Sequence, residues 1–192
     1  MTILVALATD RYAIITSDTL VDYRDRGQTY SSKIAQIGGD TLIAHRGTLK
    51  LCADEWDLQV GLPTLQNIVD KLFPSLPLGT IEKLEEIVTK FSPYFDSTAD
   101  NCLIIAIKVD GVVKLYYYDH KLGRAVPGNQ ILPEGKDIDK LIQDGILSPY
   151  DKEKISMFTF DKAKEWTEGL VQTIIQYDSQ YGGEPVSKYL RI

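Results

Sequence analysis

Three pairs of short apolar runs, each joined by a tight polar turn, constrain the fold more than anything else in this sequence. The first pair is Ile3-Leu4-Val5-Ala6-Leu7 and Tyr12-Ala13-Ile14-Ile15, split by Thr9-Asp10-Arg11. The second is residues 33–37 and 41–45, around Gly38-Gly39-Asp40. The third is residues 102–109 and 112–119, around Asp110-Gly111. Apolar runs of this length bounded by Gly and Asp turn residues read as β-hairpins. A strand with one wet face alternates apolar and polar residues, but the first pair is apolar at nearly every position. The pattern therefore predicts a sheet covered on both faces.

Between the second and third hairpins the period changes. Leu49, Cys52, Trp56 and Val60 recur at helical spacing, so a helix is expected to open at Gly47-Thr48. Further helices are expected over residues 64–73 and 80–91, the latter with Ile81, Leu84, Ile87, Val88 and Phe91 on one face. Pro74, Pro77 and Pro93 punctuate them. Residues 21–30 are polar and charged and read as a loop or a distorted strand. After the third hairpin come short strands near 124–126 and 129–132, a short helix over 137–144, and a long helix over 161–177. Ala163, Trp166, Leu170, Ile174 and Tyr177 share one side of that last helix; Gly182-Gly183 follows it, and residues 185–192 close as a strand. With no internal repeat, low-complexity linker or compositional break, residues 1–192 read as a single domain. The order of elements predicts a layered α+β domain with helices outside a sheet core.

Composition removes several functions. A chain of 192 residues is long enough for a sizeable core. A net charge of -6, with no run of Lys or Arg, argues against non-specific nucleic-acid binding. Cys52 and Cys102 lie in apolar contexts without a CxxC or Cys/His cluster, and read as reduced core thiols of a cytoplasmic protein. The opening MTILVALATD lacks the charged region and cleavable core of a signal peptide, and no apolar run is long enough to span a bilayer. His45 and His120 stand too far apart to suggest a metal site. His120 reads as a turn residue. Alternation along Tyr116-Tyr117-Tyr118 sends some rings to the core and others outward. Glu82-Lys83-Leu84-Glu85-Glu86 reads as a solvated helix face with local charge pairs.

The chemistry concentrates near the start. The chain begins Met1-Thr2. Once an aminopeptidase removes Met1, Thr2 carries a hydroxyl nucleophile and a free α-amine on one residue, and so contains its own general base. Such an amine titrates near ~8, where a base is most useful. Asp18 ends the second apolar run and Lys33 opens the second hairpin. Taken singly, Asp18 reads as a strand-ending turn residue, Lys33 as a solvated cation and His45 as an ordinary core or surface histidine. Their combination with Thr2 and Gly47 is what stands out.

That combination resembles the threonine-dependent N-terminal nucleophile hydrolases of the proteasome β-subunit class, including bacterial two-ring relatives of the HslV or Anbu kind. Thr2-Ile3-Leu4-Val5-Ala6-Leu7 matches the family's mature start, and Thr16-Ser17-Asp18 its aspartate after the second strand. Ser32-Lys33-Ile34-Ala35-Gln36-Ile37 matches its lysine hairpin, and Ala44-His45-Arg46-Gly47-Thr48 its glycine where the fourth strand meets a helix. Asp178-Ser179-Gln180-Tyr181-Gly182-Gly183 follows the family's closing motif in part and brings Asp178 into the catalytic set.

The resemblance implies a four-layer αββα sandwich and a threonine endopeptidase acting on unfolded polypeptide inside a ring of identical subunits. It implies no cofactor, and an unfolding ATPase as partner. Thr2 would attack the peptide carbonyl. Lys33 would keep the local potential positive, Asp18 would pair with it, and the Gly47 N–H would donate to the oxyanion. Val21, Ser31, His45 and Leu49 would line the substrate pocket. The sequence departs from the family at three places. Pro133-Glu134-Gly135 stands where a Gly-Ser-Gly turn is common, Tyr181 replaces a small hydroxyl residue, and Thr19 follows Asp18 where Arg is frequent. Those departures keep two rivals in play: a catalytically silent subunit of the same fold, and a small-amide hydrolase with the same N-terminal chemistry.

Overall fold

The computed structural model describes residues 2–23, 27–51, 63–74, 82–132, 136–146 and 152–192. Within these, β1 (Leu4–Thr9) and β2 (Tyr12–Ser17) form the expected hairpin, with Leu4 opposite Ser17 and Thr9 opposite Tyr12. β11 (Val186–Arg191) joins the free edge of β2, and β10 (Gln130–Leu132) joins β1. The resulting sheet runs β10-β1-β2-β11. A second sheet runs β5-β6-β7-β8-β9, from β5 (Ile34–Ile37), β6 (Thr41–Arg46), β7 (Cys102–Val109), β8 (Val112–Asp119) and β9 (Arg124–Pro127). Every pairing among the described strands is antiparallel.

Among the described residues five α-helices accompany the sheets: α1 (Leu65–Leu72), α2 (Glu82–Phe91), α3 (Lys136–Gln143), α4 (Lys152–Ser156) and α5 (Phe160–Tyr177). Thr64 caps α1 by accepting the Asn67 N–H, while Asn67 returns a bond to the Thr64 N–H. Such a reciprocal cap stabilises a helix start by about 1 kcal/mol.

The alternation of the strands sorts their side chains into separate cores. Leu4, Ala6, Ala13 and Ile15 from the first sheet pack with Ile34, Leu42, Ala44, Ile104 and Ala106 from the second. The opposite face of the second sheet, through Ala35, Ile43, Leu103 and Ile105, packs with Ile68 and Val69 of α1 and Ile87 and Phe91 of α2. The opposite face of the first sheet, through Ile3 and Val5, packs with Ile138 of α3 and Leu170, Val171 and Ile174 of α5. Ile14 meets Ile155 of α4 and Ala163 of α5. Apolar residues at consecutive positions of β1 and β2 are thus explained, because each face of that sheet has a core.

Three expectations are corrected. Residues 21–30 contain a two-stranded ribbon, β3 (Leu20–Tyr23) with β4 (Gly27–Tyr30), with Leu20 opposite Tyr30. Its composition hid it, because Gln28, Thr29 and Tyr30 face solvent and the ribbon is held by backbone pairing. No helix opens at Gly47-Thr48. Leu49 instead makes an antiparallel bridge to Phe95, flanked by Lys50 N–H to Tyr94 O at 2.7 Å and Asp96 N–H to Thr48 O at 3.0 Å. Cys52, Trp56 and Val60 of that expected helix lie outside the described residues, as does Ile81 of the next. Lys83 is not part of a solvated face: its side chain is 1% exposed and its Nζ sits 2.8 Å from Asp40 Oδ2. Helix α4 went unrecognised in the sequence because five residues are too few to show a period.

Candidate active site

The site is organised around Asp18. The carboxylate follows the last residue of β2 and has no solvent exposure. Its Oδ1 accepts the Lys33 ammonium at 2.7 Å and the Ile3 N–H at 2.9 Å. That N–H belongs to the peptide bond leaving Thr2, so one oxygen holds Lys33 beside the residue that follows the candidate nucleophile. The arrangement comes from the hairpin, whose register sets the start of β1 against the end of β2. Asp18 and Lys33, which singly read as a turn residue and a solvated cation, are both buried. Burial pulls the Lys33 ammonium below the ordinary lysine range, while the charge and hydrogen bond of Asp18 pull the other way. Thr2 is itself half-buried. Among the described residues, Asp18 Oδ2 and the neighbouring Ser17 Oγ are buried without a hydrogen-bond partner.

The second sheet extends the site. The Lys33 carbonyl accepts the His45 N–H at 3.2 Å, which fixes β6 against the lysine. Two residues later Gly47 adopts φ +119°, a region side chains rarely enter. A Cβ there would stand 2.3 Å from Asn101 Oδ1 and 2.8 Å from Asn101 Cα, so the position also demands glycine on steric grounds. Asn101 Oδ1 accepts the Thr48 N–H at 2.8 Å and lies 3.1 Å from His45 Nε2. The His45 ring stacks on Phe95, their centroids 5.8 Å apart and their planes 9° apart. Burial holds the imidazole down to a pKa of about 4, against a smaller upward pull from the Asn101 bond. Leu49 also meets Phe95 through its bridge, so His45 and Leu49 share one aromatic neighbour.

A third group lies on the other side of Asp18. The Gly182 carbonyl accepts both the Thr19 N–H at 3.2 Å and the Leu20 N–H at 3.1 Å. Ser31 N–H donates to Thr19 O at 2.8 Å, and Val21 pairs with Thr29. Val21 thus lies in the β3–β4 ribbon and Ser31 directly follows it. Asp178 caps α5, and its carboxylate accepts the Gln180 N–H at 2.9 Å. No hydrogen bond among the described residues links it to Thr2, Asp18 or Lys33. Ser179 is exposed, whereas Tyr181 is buried in the cluster containing Ile3 and Val5. Met1 and residues 133–135 lie outside the described residues.

Asn101 is the residue that sequence reasoning missed. It carries no periodicity and no motif. Only the pairing of Arg46 with Cys102 delivers it opposite Gly47.

No protein-family model and no curated protein sequence matches the chain. Solved structures do. Anbu (ancestral beta-subunit) from Yersinia bercovieri aligns with 100% of this chain and 82% of its own, at a TM-score of 0.62 and 12% identity. A mutant of Anbu from Hyphomicrobium sp. strain MC1 aligns over the same shares at a TM-score of 0.63 and 11% identity. The chain shares the fold of these Anbu structures. Eukaryotic HslV from Trypanosoma brucei aligns over 100% of both chains at a TM-score of 0.50 and 17% identity. Identities this low carry the fold alone. Among the described residues no helix is long and apolar enough to cross a membrane, and no cluster of three or more His, Cys, Asp or Glu is placed to hold a metal ion.

Proposed function

We propose that this chain is a threonine-type peptidase subunit that hydrolyses peptide bonds of unfolded polypeptides through Thr2, inside a ring of identical subunits. The observation that carries this reading is the shared Oδ1 of Asp18, which holds a buried lysine and the peptide bond after Thr2 at one point. A buried ammonium is costly, and one tied to the start of β1 beside Thr2 stands where its charge could serve the reaction. The packing of two sheets face to face, with α1 and α2 on one outer face and α3 to α5 on the other, supports the four-layer αββα reading.

The chemistry begins with removal of Met1. Thr2 Oγ attacks the scissile carbonyl carbon, and its proton passes to the α-amine directly or through a water. The Gly47 N–H donates to the oxygen that becomes negative, and Lys33 keeps the local potential positive. Collapse of the tetrahedral intermediate breaks the C–N bond, and the ammonium proton goes to the leaving amine. An ester on Thr2 Oγ remains. Water then attacks that ester with the α-amine again taking the proton, which releases the acid and restores Thr2. Asp18 holds Lys33, and Asp178 completes the proposed set at the end of α5. Val21, Ser31, His45 and Leu49 line the proposed pocket, and an unfolding ATPase would deliver substrate. No cofactor enters these steps.

The deciding experiment is the intact mass of the natively expressed protein before and after a peptide epoxyketone. Loss of Met1 and gain of one inhibitor mass, absent in Thr2→Ala, is expected. Met1 retained without an adduct would replace this reading with a catalytically silent subunit. The burial of Tyr181 against Ile3, in place of a small hydroxyl residue, favours that second reading.

A further inference from the structure

We propose that Asn101 is a positioning residue of this site, its carboxamide fixing the Gly47–Thr48 peptide and the His45 ring together. The proposal rests on the peptidase reading for what Gly47 does, but the geometry stands by itself. Asn101 is 1% exposed. Its Nδ2 donates to the Asp96 carbonyl at 2.6 Å and, more weakly, to the Ala99 carbonyl at 3.4 Å. Two carbonyls facing one end of the amide determine which end is nitrogen. Oδ1 is therefore the acceptor, and it takes the Thr48 N–H at 2.8 Å. It lies 3.1 Å from His45 Nε2, which must then carry the proton and donate. The Asn101 backbone is pinned too, its carbonyl accepting the His120 N–H and its N–H donating to Ala99 O.

Gly47 is held from both sides as a result. On its N-terminal side, Arg46 is fixed by pairing with Cys102. On its C-terminal side, the Thr48 N–H is fixed by Asn101. With both peptides immobilised, the glycine is locked at φ +119° and its own N–H has one direction. An oxyanion donor works because it is aimed before the charge develops, so the carboxamide serves the transition state through Gly47 without touching substrate. The same oxygen orients His45, so the proposed pocket wall and the proposed oxyanion amide share one support. That bond needs a proton on Nε2, which the neutral Nε2–H tautomer supplies, and burial keeps the ring neutral down to about pH 4.

The test uses the full chain, with Asn101→Asp as the principal variant. It keeps the accepting oxygen but loses both Nδ2 donations and adds a charge. The expected result is a kcat lower by about 10–100-fold on a fluorogenic peptide, with KM within about twofold. Binding of a peptide aldehyde, which forms an oxyanion on Thr2, should weaken by a similar factor. With two histidines in the chain, NMR follows His45 directly, and its pKa should rise by about one unit or more beside a carboxylate. Asn101→Ser, too short to span Thr48 and Asp96, should show the loss in kcat without the rise in the His45 pKa, and carries the test if the aspartate variant does not fold. A wild type labelled at Thr2, with kcat unchanged in a folded Asn101 variant, overturns this proposal and leaves the peptidase reading standing. A wild type that does not label overturns the peptidase reading and the oxyanion role together. An unmoved His45 in Asn101→Asp overturns the claimed contact in either case.

Discussion

Lys33 Nζ lies 2.7 Å from Asp18 Oδ1, and both side chains are buried. Removing either side chain takes from the other the ion pair that offsets its burial, a loss of about 3–5 kcal/mol for buried pairs. Asp18→Asn is therefore strongly destabilising, because an amide cannot neutralise the ammonium. Lys33→Met strands the carboxylate but leaves it the Ile3 N–H. The double variant Asp18→Asn/Lys33→Met carries neither charge and should unfold at a higher urea concentration than Asp18→Asn alone. Urea midpoints of the four proteins check this, and simply additive losses would show that the two residues are not coupled. Both variants that lose Lys33 should also lose labelling at Thr2.

Gly183 meets Thr19, the residue after that aspartate. A Cβ on Gly183 would stand 2.0 Å from Thr19 Oγ1, 3.3 Å from Thr19 Cβ and 2.9 Å from Tyr30 Cδ1. Thr19 cannot retreat easily, since its N–H is bound to Gly182 O and its carbonyl to the Ser31 N–H. Gly111 offers a control, because its φ of +74° is close to the +80° of Gly183 and nothing lies within 4 Å of its Cβ position. Gly111→Ala should cost about 1–2 kcal/mol from the backbone alone. Gly183→Ala should cost about 1–3 kcal/mol more, from overpacking. Equal midpoints for the two variants would show that the Thr19 contact relaxes freely.

The hairpins were legible in the sequence because their signals are local. Asp110-Gly111 or Gly38-Gly39-Asp40 between apolar runs suffices, and the apolar run through β1 and β2 correctly implied a sheet covered on both faces. The Asp18–Lys33 pair became readable only through a resemblance, since neither residue alone carries information about burial. Two features were not legible at all. Leu49, at helical spacing with residues further on, was taken by a bridge to Phe95, a partner 46 positions away whose register no local pattern specifies. Asn101 reaches Gly47 through the β6–β7 ladder, which is likewise a tertiary fact. The polar ribbon β3–β4 was obscured by its exposed residues, because alternation is informative only where one face is buried.

His45 makes stability depend on pH in a definite direction. Its folded pKa is about 4, below the ordinary 6.5. Between those values the unfolded chain binds a proton that the folded chain refuses. The contribution is fully present above about pH 6.5, is lost progressively as pH falls, and is exhausted near pH 4, where both states are protonated. At most about 3 kcal/mol is at stake. His45→Gln keeps a donor for Asn101 but cannot titrate, so its stability should fall less steeply than the wild type between pH 6.5 and 4. Parallel curves for the two proteins would place the His45 pKa near its ordinary value.

Lys83 and Asp40 should behave asymmetrically, because their surroundings differ. The Lys83 side chain is 1% exposed and donates to both oxygens of Asp40, at 2.9 and 2.8 Å, while the Asp40 side chain is 15% exposed at the tip of the β5–β6 hairpin. An abandoned ammonium has almost no access to water. An abandoned carboxylate has some, and it keeps the Thr41 hydroxyl as a donor at 2.9 Å. Asp40→Asn is thus expected to cost about 3–5 kcal/mol, as for other broken buried pairs. Lys83→Met should cost less than half of that, since the replacement keeps an unbranched apolar stem and the remaining charge hydrates. Thr2 lies at a separate place in the fold, so labelling by the epoxyketone should survive Lys83→Met. Urea denaturation of the two single variants decides the order, and a Lys83→Met protein less stable than Asp40→Asn would show that the carboxylate, not the ammonium, is the more deeply committed partner.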